Sequence, residues 1–166
     1  MRLFIAALLS EEMKKSVIEV MHTAKKQGLD GRYIPAQDLH MTLAFIGEVP
    51  DAGPVKTALS KVEAEKFRMT LSDFGYFENL LYIGVKSNQK LKKCAQDIRK
   101  ALGDAGIPYD KKNFTPHITL VRDIKGKRPL LPPAPAGEMT VPAISLMRSD
   151  QKNGKVAYKE IARFPL

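Results

Sequence analysis

The chain has 166 residues, 44% hydrophobic and 27% charged, with a formal net charge of +9. That length suits one domain burying roughly 70% of its unfolded surface, and the positive excess points to an anionic partner such as nucleic acid. The single cysteine, Cys94, excludes an internal disulfide and a multi-cysteine metal site, and no run approaches the ~20 apolar residues of a membrane span.

Arg2 to Leu8 reads as a strand. The apolar run Leu3–Leu9 is short, ends at Ser10-Glu11-Glu12 and lacks a small-residue cleavage site. It is therefore read as a buried strand and not a signal peptide, with the cytoplasm as the default location. Ser10 is a suitable N-cap for the helix that follows. Glu11 and Glu12 suit its positive end, Lys25 and Lys26 its negative end, and Gly28 can close it. Met13, Val17, Ile18, Met21 and Ala24 recur at helical spacing, while His22 lies off that stripe as a solvated residue. Gly28–Ala36 reads as a loop and Pro50–Gly53 as a turn. Pro54 then opens a second helix with Val55, Ala58, Leu59 and Val62 on its inner face.

Phe67–Phe74 alternates as a strand, Gly75–Asn79 reads as a connection, and Leu80–Val85 reads as another strand. A third helix spans roughly Asn88 to Leu102, with Leu91, Ala95, Ile98 and Leu102 as its stripe. Cys94 falls in this helix as a small apolar residue. The outer face carries Lys90, Lys92, Lys93, Arg99 and Lys100 and reads as a solvated face. Pro129–Gly137, with four prolines, reads as an extended surface segment. Ala143–Met147 and Lys155–Ile161 read as strands around an Asn153-Gly154 hairpin turn.

Two stretches carry the chemistry. Asp38-Leu39-His40-Met41-Thr42-Leu43-Ala44-Phe45-Ile46 and Phe114-Thr115-Pro116-His117-Ile118-Thr119-Leu120-Val121-Arg122 both hold His-x-Thr-Leu in a β-prone run. Residues i and i+2 of a strand share a face. His40 therefore points with Thr42, and His117 with Thr119, while Met41, Leu43, Ile118 and Leu120 turn to a core. The run from Arg2 to His40 and that from Leu80 to His117 are nearly equal in length. Each is a strand, a helical pattern and a second strand. They predict two pseudo-symmetric units, about 2–46 and 80–122, within one domain over 1–166.

With these motifs the chain resembles the two-histidine phosphoesterase superfamily, in particular the RNA 2′,3′-cyclic phosphodiesterases once described as 2′-5′ RNA ligases. The likeness runs nearly end to end. It takes in Met1-Arg2-Leu3-Phe4-Ile5-Ala6, Leu39 through Val49, Leu81-Tyr82-Ile83-Gly84-Val85, Pro116 through Arg122, and a late Ser149, Gly154, Tyr158 pattern. Arg32-Tyr33-Ile34-Pro35 departs from it, since many relatives have an aromatic run with Trp there. The resemblance implies hydrolysis of RNA cyclic phosphate ends to 2′-phosphomonoesters. It also implies that His40 protonates the leaving oxygen and His117 activates water.

An imidazole of ordinary pKa ~6.5 can serve either role near neutrality, and each threonine hydroxyl can donate to a phosphate oxygen. That chemistry calls for no metal and no cofactor. A zinc site on both histidines would need a third ligand, and Cys94 and His22 belong on helix faces. Arg122, Phe45 and Tyr158 are candidate substrate contacts, the aromatics for base stacking. Arg122 sits three residues after Thr119, on the opposite face of an ideal strand, so it needs a bend or bulge to reach the site. The expected fold is α+β, two lobes of antiparallel-rich sheet lining a central cleft with helices outside, in a monomer that binds RNA and no membrane. End joining at the same site is an alternative activity. A non-catalytic RNA-binding module is an alternative of another class, for which Arg or Lys would serve better than His-Thr pairs.

Overall fold

The computed structural model describes residues 1–166. In chain order the elements are β1 (Arg2–Leu8), α1 (Glu11–Lys26), β2 (Asp30–Tyr33), β3 (His40–Glu48), α2 (Gly53–Ser60), β4 (Phe67–Phe77), β5 (Leu80–Val85), α3 (Gln89–Asp104), β6 (His117–Lys125), β7 (Glu138–Val141), β8 (Ala143–Lys152) and β9 (Lys155–Pro165). The fold is α+β. All strand pairs are antiparallel, in the order β7-β4-β5-β6-β3-β1-β8-β9, with β2 added on β6.

Local chemistry sets the helix ends. Ser10 caps α1 by accepting from the Met13 N–H at 3.2 Å, and Asn88 caps α3 through Leu91 at 2.9 Å. Behind α1 the chain leaves through Gly28 in the left-handed region, at φ 89°. The stripe of α1 includes Val20, while Ile18 is only half-buried. Both helices reach strands from the other part of the sheet: α1 packs beneath β6, and α3 beneath both β3 and β4. Leu3, Ile5, Met41, Leu43, Ile118 and Leu120 face them, none more than 1% exposed. Each such side chain contributes about 1.5–3 kcal/mol.

The centre of the sheet is its narrowest join. β3 and β6 pair only at Met41 and Ile118, whereas β1 pairs with β3 along its whole length. Both motif strands also carry a β-bulge at the same place. Against β1, Thr42 and Ala44 face successive residues Ala6 and Ile5, leaving Leu43 as the extra residue. Against β5, Thr119 and Val121 face Tyr82 and Leu81, leaving Leu120 extra. Two consecutive residues are buried at each bulge, Leu43 with Ala44 and Leu120 with Val121, so the side-chain alternation slips by one.

Several expectations need correction. The Gly28–Ala36 loop contains β2, which pairs with the edge of β6 next to its bulge, and a 3-10 turn follows at Ala36–Asp38. Gly31 makes this approach possible, because a Cβ there would lie 2.7 Å from Val121 Cγ1. Gly75–Asn79 is not a connection: β4 runs on to Phe77 and the turn is only Glu78-Asn79. β7 is an additional short strand on β4. α2 stops at Ser60, so Val62 packs from beyond its end. The proline-rich segment has no regular structure but is tied down, with Tyr76 Oη donating to Pro129 O at 2.8 Å and Leu71 N–H to Gly137 O at 2.8 Å. The last two strands run further than expected around Asn153-Gly154, whose φ angles of 53° and 76° suit a type I′ turn.

Candidate active site

The site lies on the face of the sheet away from α1 and α3. If the register at Met41 and Ile118 continues one residue each way, His40 stands across from Thr119 and Thr42 across from His117. The two histidines are then diagonal neighbours, a relation that spaces residues roughly 7–8 Å apart, with their Cβ atoms somewhat closer.

Both imidazoles are held alike. His40 Nδ1 is 2.7 Å from Asp38 O, and His117 Nδ1 is 2.6 Å from Thr115 O. A carbonyl oxygen only accepts, so each Nδ1 carries its hydrogen and donates. That fixes the tautomer and leaves each Nε2 as the position where a proton can come or go. His40 Nε2 lies 3.0 Å from Thr42 Oγ1. With His40 neutral, the threonine hydroxyl donates to Nε2. With His40 protonated, the imidazolium donates instead, and the hydroxyl hydrogen is released toward any phosphate beside it.

Desolvation pushes the His40 pKa below its ordinary value. The positive charges of Arg122 and His117 push the same way, while the hydrogen bond to the Asp38 carbonyl opposes them. Aromatic rings supply much of the desolvating wall. Phe4 lies 5.0 Å from the His40 ring and Tyr158 lies 5.4 Å from it, edge-on. The other histidine has one ring neighbour, Tyr82, at 5.6 Å.

The candidate contacts all come to this face. The bulge at Leu120 turns Arg122 to the side of His117 and Thr119, and the bulge at Leu43 does the same for Phe45. Arg122, Phe45 and Tyr158 line one groove of about 720 Å³ together with Arg2, Phe4 and Arg32. The Arg2 guanidinium sits 4.9 Å over the Phe45 ring, so one face of that ring is already covered. Arg32 pairs with Asp123 at 3.2 Å, whereas Arg122 takes part in no salt bridge of the chain. Phe4, Tyr82 and Arg2 are site neighbours that sequence reasoning did not single out. Tyr82 was legible as a strand residue, but its face follows from pairing with β4 and β6.

Two candidates lie elsewhere. Cys94 is buried in α3, and burial pushes its thiol up to about 12. His22 is exposed on α1. No group of three or more His, Cys, Asp and Glu side chains converges in a way that could hold a metal ion. No helix is long and apolar enough to cross a membrane.

Known proteins resemble this chain in sequence and in fold. The profile of the 2′-5′ RNA ligase superfamily matches residues 13–153. An RNA 2′,3′-cyclic phosphodiesterase of Thermus thermophilus is 32% identical, over 100% of this chain and 90% of its own length. One from Geobacillus stearothermophilus is 31% identical over 98% of this chain, which spans only 56% of that relative. The crystal structure of Escherichia coli LigT complexed with 3′-AMP superposes with a TM-score of 0.83 at 28% identity, covering 99% of this chain and 96% of that one.

Proposed function

This chain belongs to the 2′-5′ RNA ligase superfamily, and from that premise we propose that it is a hydrolase of RNA 2′,3′-cyclic phosphodiester ends. The observation that carries the proposal is the matched tethering of His40 and His117. Each imidazole is fixed through Nδ1 to a backbone carbonyl two residues before it, and His40 presents Nε2 to the Thr42 hydroxyl. Mere phosphate binding would not need that tautomer control. The relatives named as RNA 2′,3′-cyclic phosphodiesterases support the substrate class.

In this reading a water enters on the His117 side. His117 Nε2 takes its proton as the water oxygen attacks phosphorus. The bond from phosphorus to the 3′-oxygen breaks, and His40 Nε2 delivers a proton to that oxygen. The products are a 2′-phosphomonoester and a free 3′-hydroxyl. Thr42 and Thr119 donate to the non-bridging oxygens, whose charge grows in the transition state. Arg122 neutralises the phosphate from the groove, and Phe45 and Tyr158 border the base beside it.

The low affinity of free His40 for a proton runs against its role as donor. A bound phosphodiester anion offsets this by stabilising the imidazolium. Protonation also turns the Thr42 hydroxyl outward, so acid and hydrogen-bond donor are readied together. The whole chain, with its two repeats 2–46 and 80–122, acts as one catalytic unit, monomeric and free of metal and cofactor.

The test is incubation with a short RNA bearing a 2′,3′-cyclic phosphate in the presence of EDTA, followed by identification of the product end. A 2′-phosphate is expected. An unchanged cyclic end, or a 3′-phosphate, would contradict the proposal. A longer RNA formed with a 5′-hydroxyl partner would assign end joining instead.

A further inference from the structure

We propose that the β4–β5 hairpin carries a second base-stacking platform, Tyr82–Leu80–Phe77, which holds the RNA strand upstream of the terminal phosphate. The inference rests on the RNA-end reading above and extends it to where the rest of the strand lies.

The platform follows from register. On β5, Leu80, Tyr82 and Gly84 share the face of His117, because Gly84 pairs with His117 and Tyr82 with Thr119. Across to β4, Tyr82 pairs with Gly75 and Leu80 with Phe77, so Phe77 shares that face too. The Tyr82 ring lies flat over Gly75, where a Cβ would meet Tyr82 Oη at 2.3 Å. This glycine lets the tyrosine ring spread along the sheet instead of standing off it. Phe77, at the outer end, is 62% exposed. The result is an apolar track leading from the His117 ring, 5.6 Å from Tyr82, to the hairpin tip.

Charge argues that the occupant is a polyanion with bases. The track is bordered by Arg122 and Arg32, which pair with each other across β6 and β2. At the tip, Ile124 N–H donates to Asn79 O, which brings the exposed Lys125 beside the hairpin, while Arg128 lies over the Tyr76 ring on the opposite face. An exposed aromatic continuous with a phosphate site and flanked by cations is how single strands are held without sequence readout. From Gly84 to Leu80 is about 13 Å at strand rise, so Phe77 lies beyond the reach of a mononucleotide held between the histidines.

The chain has no tryptophan, so Phe77→Trp introduces a single reporter. Its fluorescence should be quenched by a trinucleotide ending in a 2′-phosphate, a product that does not react, and not by a mononucleotide 2′-phosphate. Phe77→Ala should weaken trinucleotide binding about tenfold, the scale of one stacked base, with Phe77→Tyr restoring it. Hydrolysis of a mononucleotide 2′,3′-cyclic phosphate should be unchanged by Phe77→Ala. Equal quenching by both ligands, or trinucleotide affinity unaffected by Phe77→Ala, would overturn the platform. A wild-type dimer in sedimentation that Phe77→Ala dissociates, with RNA affinity unchanged, would assign the patch to a second copy of this chain and overturn it as well. Quenching with no hydrolysis of any cyclic phosphate would keep the platform and sink the enzymatic reading.

Discussion

Phe45 and Arg122 occupy equivalent places in the two motif strands. Each is the fifth residue after its histidine, and each reaches the site face because a bulged leucine, Leu43 or Leu120, shifts the alternation by one. In an unbulged strand both would point into the layer beneath, where a guanidinium could not be solvated. One device thus delivers a ring from one strand and a cation from the other to the same groove.

Arg122→Gln should lower kcat/KM for a cyclic phosphate end by about ten- to a hundredfold, the scale of one charge-assisted hydrogen bond. It should also raise the His40 pKa, since the arginine charge adds to burial in lowering it. The alkaline limb of the kcat/KM profile should therefore move to higher pH in the variant. A simple loss of rate with no movement of that limb would place Arg122 away from His40.

The wild-type pH profiles carry a related expectation. An acid works only while protonated, so activity falls as pH rises through its pKa. Burial lowers the His40 pKa in the free protein, and the substrate anion raises it in the complex. The alkaline limb of kcat/KM should lie at lower pH than that of kcat, both limbs belonging to the coupled pair. Coincident limbs would show that bound phosphate does not act on His40.

Thr42→Ala and Thr119→Ala should each lower kcat by on the order of 10²-fold, as when one oxyanion donor is lost. Thr→Ser should keep much of the rate. Wild-type kcat in the alanine variants would make both hydroxyls structural.

The two histidines separate by leaving group. A nitrophenolate departs without an acid, so on a nitrophenyl phosphodiester His40→Ala should recover much of its lost activity. His117→Ala should stay impaired, because water still needs a base. Recovery in His117→Ala alone would reverse the two roles.

Chelation and salt test the surroundings of the site. Activity should survive EDTA, and loss with rescue by Zn²⁺ would favour a metal mechanism. Raising ionic strength should increase KM more steeply for an RNA oligomer than for a mononucleotide 2′,3′-cyclic phosphate, through counterion release. Equal slopes would confine RNA contact to the terminal phosphate.

What the sequence made legible was local chemistry. His-x-Thr in two β-prone runs, the cap Ser10, and the Asn153-Gly154 turn each act over a few residues. What it hid depends on neighbours far along the chain. β2 is four residues, Asp30-Gly31-Arg32-Tyr33, with no alternating apolar pattern, and it is a strand because β6 offers it an edge. Arg122 was legible as a candidate, but its face required the Leu120 bulge. Phe77 and Tyr82 acquire a shared surface only through the β4–β5 register and the bare backbone of Gly75.

The crossing of the helices has a consequence for assembly. A chain cut after Val62 would leave one fragment with α1, whose apolar stripe belongs under β6, and the other with α3, part of whose stripe belongs under β3. The first piece would lose the helix beneath β3, and the second would keep α3 on β4 but lose the helix beneath β6. Each would be a poor folder alone and a specific ligand for the other, so the severed chain should reconstitute at one-to-one stoichiometry or not at all.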